Sequence, residues 1–175
     1  MTSQMPPVAG VWRRLGALVY DTLVIIAVLM VATVPFLPLL HGKVLVPREV
    51  GPLAYVYWLW QLAVIAVFFG YFWTRRGQTV GMVAWRVRLE RRDGSRIGWL
   101  DAIKRIGIAL LLAAPFLLGY PLVWGRWADP RLRLLATCIS LAPLVLAYLW
   151  IWIDPDRLSL YDRWAKTRMV VLPKK

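Results

Sequence analysis

The sequence holds one cysteine, Cys138, and one histidine, His41. A single cysteine excludes an intramolecular disulfide framework. A single histidine excludes a metal site built from several imidazoles. No Cys/His cluster, phosphate-binding loop, nucleophile elbow or dinucleotide fingerprint is present. The sequence therefore implies no metal, no cofactor and no enzyme class. Acidic residues are scarce too, with nine Asp+Glu against twenty-two Lys+Arg and a formal net charge of +13. Apolar residues are abundant instead: 60% of the chain is in the hydrophobic set, the mean hydropathy is +0.59, and there are eleven tryptophans. Soluble domains run at roughly 45–50% apolar. The composition excludes a disordered or collagen-like chain and points to a polytopic membrane protein.

Four apolar stretches, at about 15–40, 53–73, 99–124 and 134–153, are each long enough to cross a hydrocarbon core of roughly 30 Å at about 1.5 Å per residue. The first follows Trp12, Arg13 and Arg14. It is too long for a signal peptide and has no small-residue cleavage site after it, so it reads as a retained helix, distorted near Pro35 and Pro38. The second carries Gln61 as its one strongly polar side chain. The third opens with Asp101, Lys104 and Arg105, and the fourth contains Pro143. The fold class expected is an all-α membrane protein with four transmembrane helices, forming a single domain over residues 1–175.

Four spans put both termini on one side, and the basic residues choose it. Residues 1–14, 74–105 and 154–175 carry 17 Lys+Arg, against 5 in 41–52 and 121–133. The excess places the first set in the cytoplasm, giving an N-in/C-in protein of the inner (cytoplasmic) membrane. Trp12, Trp73, Trp99, Trp150 and Trp152 fall at the inner interface, and Trp58, Trp60, Trp124 and Trp127 toward the outer one. The same rule accounts for the high isoelectric point, so no nucleic-acid partner is expected. The anionic inner leaflet is the expected partner of Arg75, Arg76, Arg91, Arg92 and Arg96.

Between the second and third helices, Trp85, Val87 and Leu89 alternate with Arg86, Arg88 and Glu90, a strand period. Arg92-Asp93-Gly94-Ser95 supplies a turn, so a small cytoplasmic β-hairpin is expected here. A further strand-like run, Thr167 to Leu172, can join it.

Asp21 lies about 10 Å inside the first span. An ionisable group near a span centre costs roughly 2.5–3.5 kcal/mol on insertion scales. It needs a partner, and Arg14, seven residues earlier on the same face, and Arg105 on the third helix are the candidates. Two readings follow: a carboxylate that takes and releases a proton or cation, or a fixed Asp–Arg pair that sets packing. Gly77, Gln78, Thr79 and Gly81 follow a helix end and read as a C-cap and turn. Asp162 can accept a bond from Arg163, Arg14 or Arg105. Arg14-Leu15-Gly16-Ala17 is similar to Arg105-Ile106-Gly107-Ile108, but four positions are within what chance yields.

Trp12-Arg13-Arg14-Leu15-Gly16-Ala17-Leu18-Val19-Tyr20-Asp21 resembles the first-helix signature of the RDD family, small bacterial membrane proteins named for one arginine and two aspartates. Gly77-Gln78-Thr79-Val80-Gly81 with Arg86-Val87, Ala102 with Arg105, and Asp154-Pro155 with Leu160-Tyr161-Asp162-Arg163-Trp164-Ala165-Lys166-Thr167 resemble three further segments of that family in order. The resemblance puts the family arginine on Arg14 and its aspartates on Asp21 and Asp162. The chain departs from the family pattern at Val80 (often proline), Met82 (lysine), Tyr161 (histidine) and Lys166 (glycine). The resemblance implies transport, with cation/proton exchange its most concrete version. A transporter of this size is expected to work as a homo-oligomer; the alternative is a non-catalytic accessory or assembly module of a larger membrane complex.

Overall fold

A computed structural model of the chain describes residues 6–41, 43–44, 47–126 and 129–173; the side chains of Arg48 and of residues 119–126 are not described. Trp127 lies outside the described residues, and the side chain of Trp124 is not described.

Four long helices dominate: α1 (Val11–Thr33), α4 (Pro52–Arg76), α6 (Trp99–Arg126) and α7 (Pro130–Leu149). The short helices α2 (Leu37–Leu40) and α3 (Pro47–Val50) join α1 to α4. Two five-residue helices, α5 (Val80–Ala84) and α8 (Leu160–Trp164), each lead into a strand, β1 (Val87–Arg91) and β2 (Thr167–Val171). Among the described residues three stretches are long and apolar enough to cross a membrane: Val11–Leu40, Pro52–Arg76 and Pro130–Trp152.

The helix ends follow local chemistry. Proline ends α1 at Thr33: Val34–Phe36 tightens into a 3-10 turn around Pro35 before α2 resumes. Helix α4 starts with Pro52 in its first turn. It stops at Gly77, whose φ of 68° lets its N–H reach the Trp73 carbonyl at 2.9 Å. Helix α7 begins four residues before its apolar stretch, because the Asp129 carboxylate accepts from Arg131 N–H at 2.8 Å and Pro130 follows it.

Within the apolar helices the contacts are sparse and partly polar. Gln61 Nε2 donates to Thr33 Oγ1 at 2.9 Å and to the Tyr57 hydroxyl at 2.7 Å, and Trp60 Nε1 donates to the Ala32 carbonyl at 3.0 Å. The bonds to Thr33 and Ala32 tie α1 to α4. Large apolar side chains such as Met30, Leu59 and Leu146 remain exposed on the helix surfaces. That is the distribution expected where the solvent is hydrocarbon and packing needs no hydrophobic drive.

The expected hairpin is replaced by a different pairing. The turn is there: Ser95 N–H donates to Asp93 Oδ1 at 2.8 Å, and Gly94 has φ 84°. No second arm follows it. Strand β1 instead pairs antiparallel with β2, Leu89 opposite Met169 and Val87 opposite Val171. The reason lies in the other edge of β1. Gln78 Nε2 donates to the Val87 carbonyl, Leu89 N–H donates to the Gly77 carbonyl, and Arg91 N–H donates to the Ser95 carbonyl, at 2.8, 2.7 and 3.0 Å. The Arg91–Ser95 bond closes the turn, and Gly77 and Gln78 occupy the rest of the edge that a hairpin arm would use. On the far side of β2, Ala9 N–H donates to the Met169 carbonyl at 2.7 Å, and Val171 N–H to the Pro7 carbonyl at 2.8 Å. Under this small sheet lies the most continuous apolar core: Ala9, Ala17, Met82, Val87, Leu89 and Ile97, with Trp73, Met169 and Val171 packed against it.

The two halves of the chain follow one plan: long helix, long helix, one-turn helix, strand. Thr79 Oγ1 accepts from Met82 N–H at 3.3 Å, and Ser159 Oγ accepts from Asp162 N–H at 3.2 Å. Seven residues after each cap the backbone turns left-handed, at Arg86 (φ 53°) and Lys166 (φ 54°), and a strand begins. The correspondence extends well past the four similar residues at the starts of the helices.

Candidate functional site

Eight polar side chains are buried among the described residues: Arg14, Asp21, Thr79, Arg105, Asp154, Ser159, Asp162 and Thr167. They form two principal groups, one around each family aspartate position.

Asp162 is the second residue after the start of α8 and is fully buried. Its two oxygens are divided between two helices. Arg14 Nη1, from α1, donates to Oδ2, and Arg105 Nη1, from the start of α6, donates to Oδ1 at 2.7 Å. Each arginine is held in turn. Arg14 Nε donates to the Ala9 carbonyl at 2.8 Å, and its Nη1 also reaches Ser159 Oγ at 3.4 Å. Arg105 Nη1 also donates to Thr167 Oγ1 at 2.6 Å, and its guanidinium lies 5.7 Å from the centre of the Trp73 ring. Burial would raise the Asp162 carboxyl, but the charges and hydrogen bonds of Arg105 and Arg14 outweigh it and hold it below the usual carboxylate range. The group is thus an ionised carboxylate clamped by two cations. Arg14 Nη2 is buried and finds no acceptor among the described residues. Beside it, burial pushes the Tyr161 phenol up, with the Arg105 charge opposing, so it stays protonated at neutral pH.

Asp21 is different. Its partners are neither Arg14 nor Arg105, which Asp162 occupies. The Thr79 hydroxyl donates to Asp21 Oδ2, and Gly81 N–H donates to Oδ1 at 2.8 Å. The expectation of an intramembrane Asp21–arginine pair is therefore corrected: Arg14 sits two turns nearer the helix start, level with α8, and its guanidinium points there. Gly81 is required by the fit. A Cβ at this position would lie 2.2 Å from the Ala17 carbonyl and 3.0 Å from Asp21 Cγ. The turn Gly77–Gly81 thus brings the Thr79 cap and the first N–H groups of α5 against α1. Gln78 serves the sheet edge and does not touch Asp21.

Arg163 does not reach Asp162 either. It donates to Asp154 Oδ1 at 2.5 Å, while Asp154 Oδ2 accepts from Leu158 N–H at 3.0 Å and closes the turn after α7. Ser159 and Thr167 are site residues that charge and hydropathy alone do not reveal. The spacing Ser159-x-x-Asp162 is a capping signature, and that signal could have found Ser159. Nothing local in the sequence marks Thr167. No group of acidic, cysteine and histidine residues able to hold a metal occurs among the described residues.

Comparison with protein-family models finds a match to the RDD family over residues 8–166, most of the chain. The chain belongs to the RDD family. Comparison with curated proteins and with solved structures gives no match. In this RDD protein Arg14 and Asp162 are direct partners across 148 residues of sequence. Asp21 forms a separate site. The backbone at Lys166 is left-handed, with φ 54°, a conformation that favours glycine.

Proposed function

We propose that this RDD protein crosses the bilayer four times, with α6 as the span between α4 and α7, and works as a transporter rather than an enzyme. Residues 7–9, β1 and β2 meet in one sheet. Their meeting supports placing both terminal segments and the 77–98 connection on one face, the cytoplasmic face of a bacterial inner membrane by the excess of basic residues. Cation/proton exchange is the most concrete version of the activity.

The observation that carries this reading is the environment of Asp21. It is a buried carboxylate within a membrane-crossing helix, and its bonds come from a hydroxyl and an amide. Intramembrane carboxylates are functional sites by default. A threonine hydroxyl has one hydrogen and two lone pairs. With Asp21 ionised, Thr79 donates to it and accepts from Met82 N–H. With Asp21 protonated, the carboxyl donates to Thr79, which still accepts from Met82. One side chain thus serves both states, and the change is felt in the turn that joins α4 to the sheet. The clamped Asp162 holds the helix ends together meanwhile.

The test is proton-coupled flux in liposomes holding only this protein, with Na⁺, K⁺ and Li⁺ in turn. Flux from wild type that disappears in a well-folded Asp21→Asn variant is the expected result. No flux from well-folded wild type with any of these ions would overturn cation/proton exchange.

A second reading, an accessory or assembly module of a larger membrane complex, is favoured by the exposed helix surfaces. Met30, Leu59 and Leu146 are each about two-thirds exposed, and that surface meets either lipid or other helices. A module co-purifies with a partner and gives no flux.

A further inference from the structure

A cavity of about 330 Å³ opens where α4 ends, between the last turn of that helix, β1 and the turn at 94–97. Arg75, Arg76, Arg88 and Arg96 line it, with Trp73 and Glu90. The acid does not neutralise them: Glu90 Oε1 is taken by Arg168 at 2.6 Å. Among the described residues none of the four arginines has an ion pair with a carboxylate, and Arg75 rests over the Tyr71 ring at 5.7 Å. The turn is built for close approach. A Cβ at Gly77 would lie 2.8 Å from the Leu89 carbonyl oxygen and 3.2 Å from Arg88 Cγ, so the glycine lets β1 and the Arg88 side chain approach the end of α4.

Four arginines line one concave site, and like charges gathered there favour an anion. The C-terminus of α4 contributes roughly half a negative charge, which does not balance four positive ones. Guanidinium is the side chain that matches phosphate oxygens in a two-bond fork. The membrane-crossing stretch Pro52–Arg76 ends at the cavity, so the site stands at head-group level. We propose that this cavity binds a phosphate-bearing anion, held by Arg75, Arg76, Arg88 and Arg96. The phosphate of an anionic phospholipid and free inorganic phosphate present the same chemistry to it. The site is separate from both aspartates, and the proposal stands whether or not the protein transports ions.

The test uses the full chain in detergent, with two probes. Native mass spectrometry counts bound phosphatidylglycerol against phosphatidylcholine, and calorimetry titrates inorganic phosphate. The variant is Arg76→Gln/Arg96→Gln. Its control is Lys104→Gln/Arg157→Gln, an equal loss of exposed charge near the same end of the molecule but outside the cavity. Cooperative thermal unfolding confirms that each is folded. If the first variant does not fold, Arg75→Gln/Arg88→Gln replaces it. The cavity variant should weaken binding on the order of tenfold, and the control less than about twofold. Loss in the lipid arm alone identifies a head group, loss in the phosphate arm alone identifies a free anion, and both support the site. Equal losses in cavity and control variants, or no binding of either probe by folded wild type, would overturn it.

Discussion

The first half of the chain and the second use the same device to opposite ends. In each half a hydroxyl caps a one-turn helix that leads through a left-handed residue into a strand. The cap of the first half, Thr79, meets a carboxylate of α1, Asp21. The cap of the second, Ser159, meets a guanidinium of α1, Arg14. The third residue after the cap differs as well. Met82 faces an apolar core, whereas Asp162 faces two arginines. A buried carboxylate clamped by two cations is a lock, and removing the carboxylate leaves two buried cations facing each other without compensation. A buried carboxylate held by a hydroxyl and an amide can change its protonation with little rearrangement. One local backbone therefore supports a carboxylate clamped by two cations and a carboxylate position met by a hydroxyl and an amide, and the neighbouring helix decides which.

Three changes probe that contrast, from the largest effect to the smallest. Arg14→Gln leaves the fully buried Asp162 with one cation and frees the Ala9 carbonyl. It removes charge-assisted hydrogen bonds and should destabilise the fold by about 2–3 kcal/mol, read as a lowered unfolding temperature in detergent and poor accumulation in membranes. The second is acidification. Asp162 is held below its ordinary value of 3.8 when folded. Its contribution is therefore fully present above that value and is lost as the pH falls through the lower folded-state value. Wild type should lose stability in this acid range, and Asp162→Asn, already destabilised, should show less of that loss. The third is Lys166→Gly. It relieves a left-handed backbone at a cost in unfolded-chain entropy, and should stabilise by about 0.5–1 kcal/mol. The matching residue Arg86, with φ 53°, should respond alike if the two halves share one plan.

Much of this is legible in the sequence. Long apolar runs between arginines give the helices, and Gly77 after Arg76 marks the end of α4. Asp21 stands out because charge is costly inside an apolar helix, Arg14 and Arg105 as its candidate partners, and Asp162 through the family resemblance. Their pairing is not legible. Periodicity puts Arg14 and Asp21 on one face of α1, which suggests a partnership, but whether a guanidinium turns along its own helix or toward α8 depends on packing. The partner of β1 is hidden for a similar reason. Asp93-Gly94 forms the turn a hairpin favours, yet the edge it would use is filled by Gly77, Gln78 and Ser95. A turn signal describes four residues and says nothing about competitors for a strand edge.

The most direct measurement is thermal unfolding of Asp162→Asn and Asp21→Asn side by side, in one detergent at neutral pH. Each replaces a carboxylate by an amide of the same shape. The two-cation clamp predicts a fall of about 10 °C or more for Asp162→Asn, and only a few degrees for Asp21→Asn, whose neutral donors tolerate an uncharged partner. An Asp21→Asn protein that melts as early as Asp162→Asn would make Asp21 a structural anchor and contradict the division of labour between the two sites.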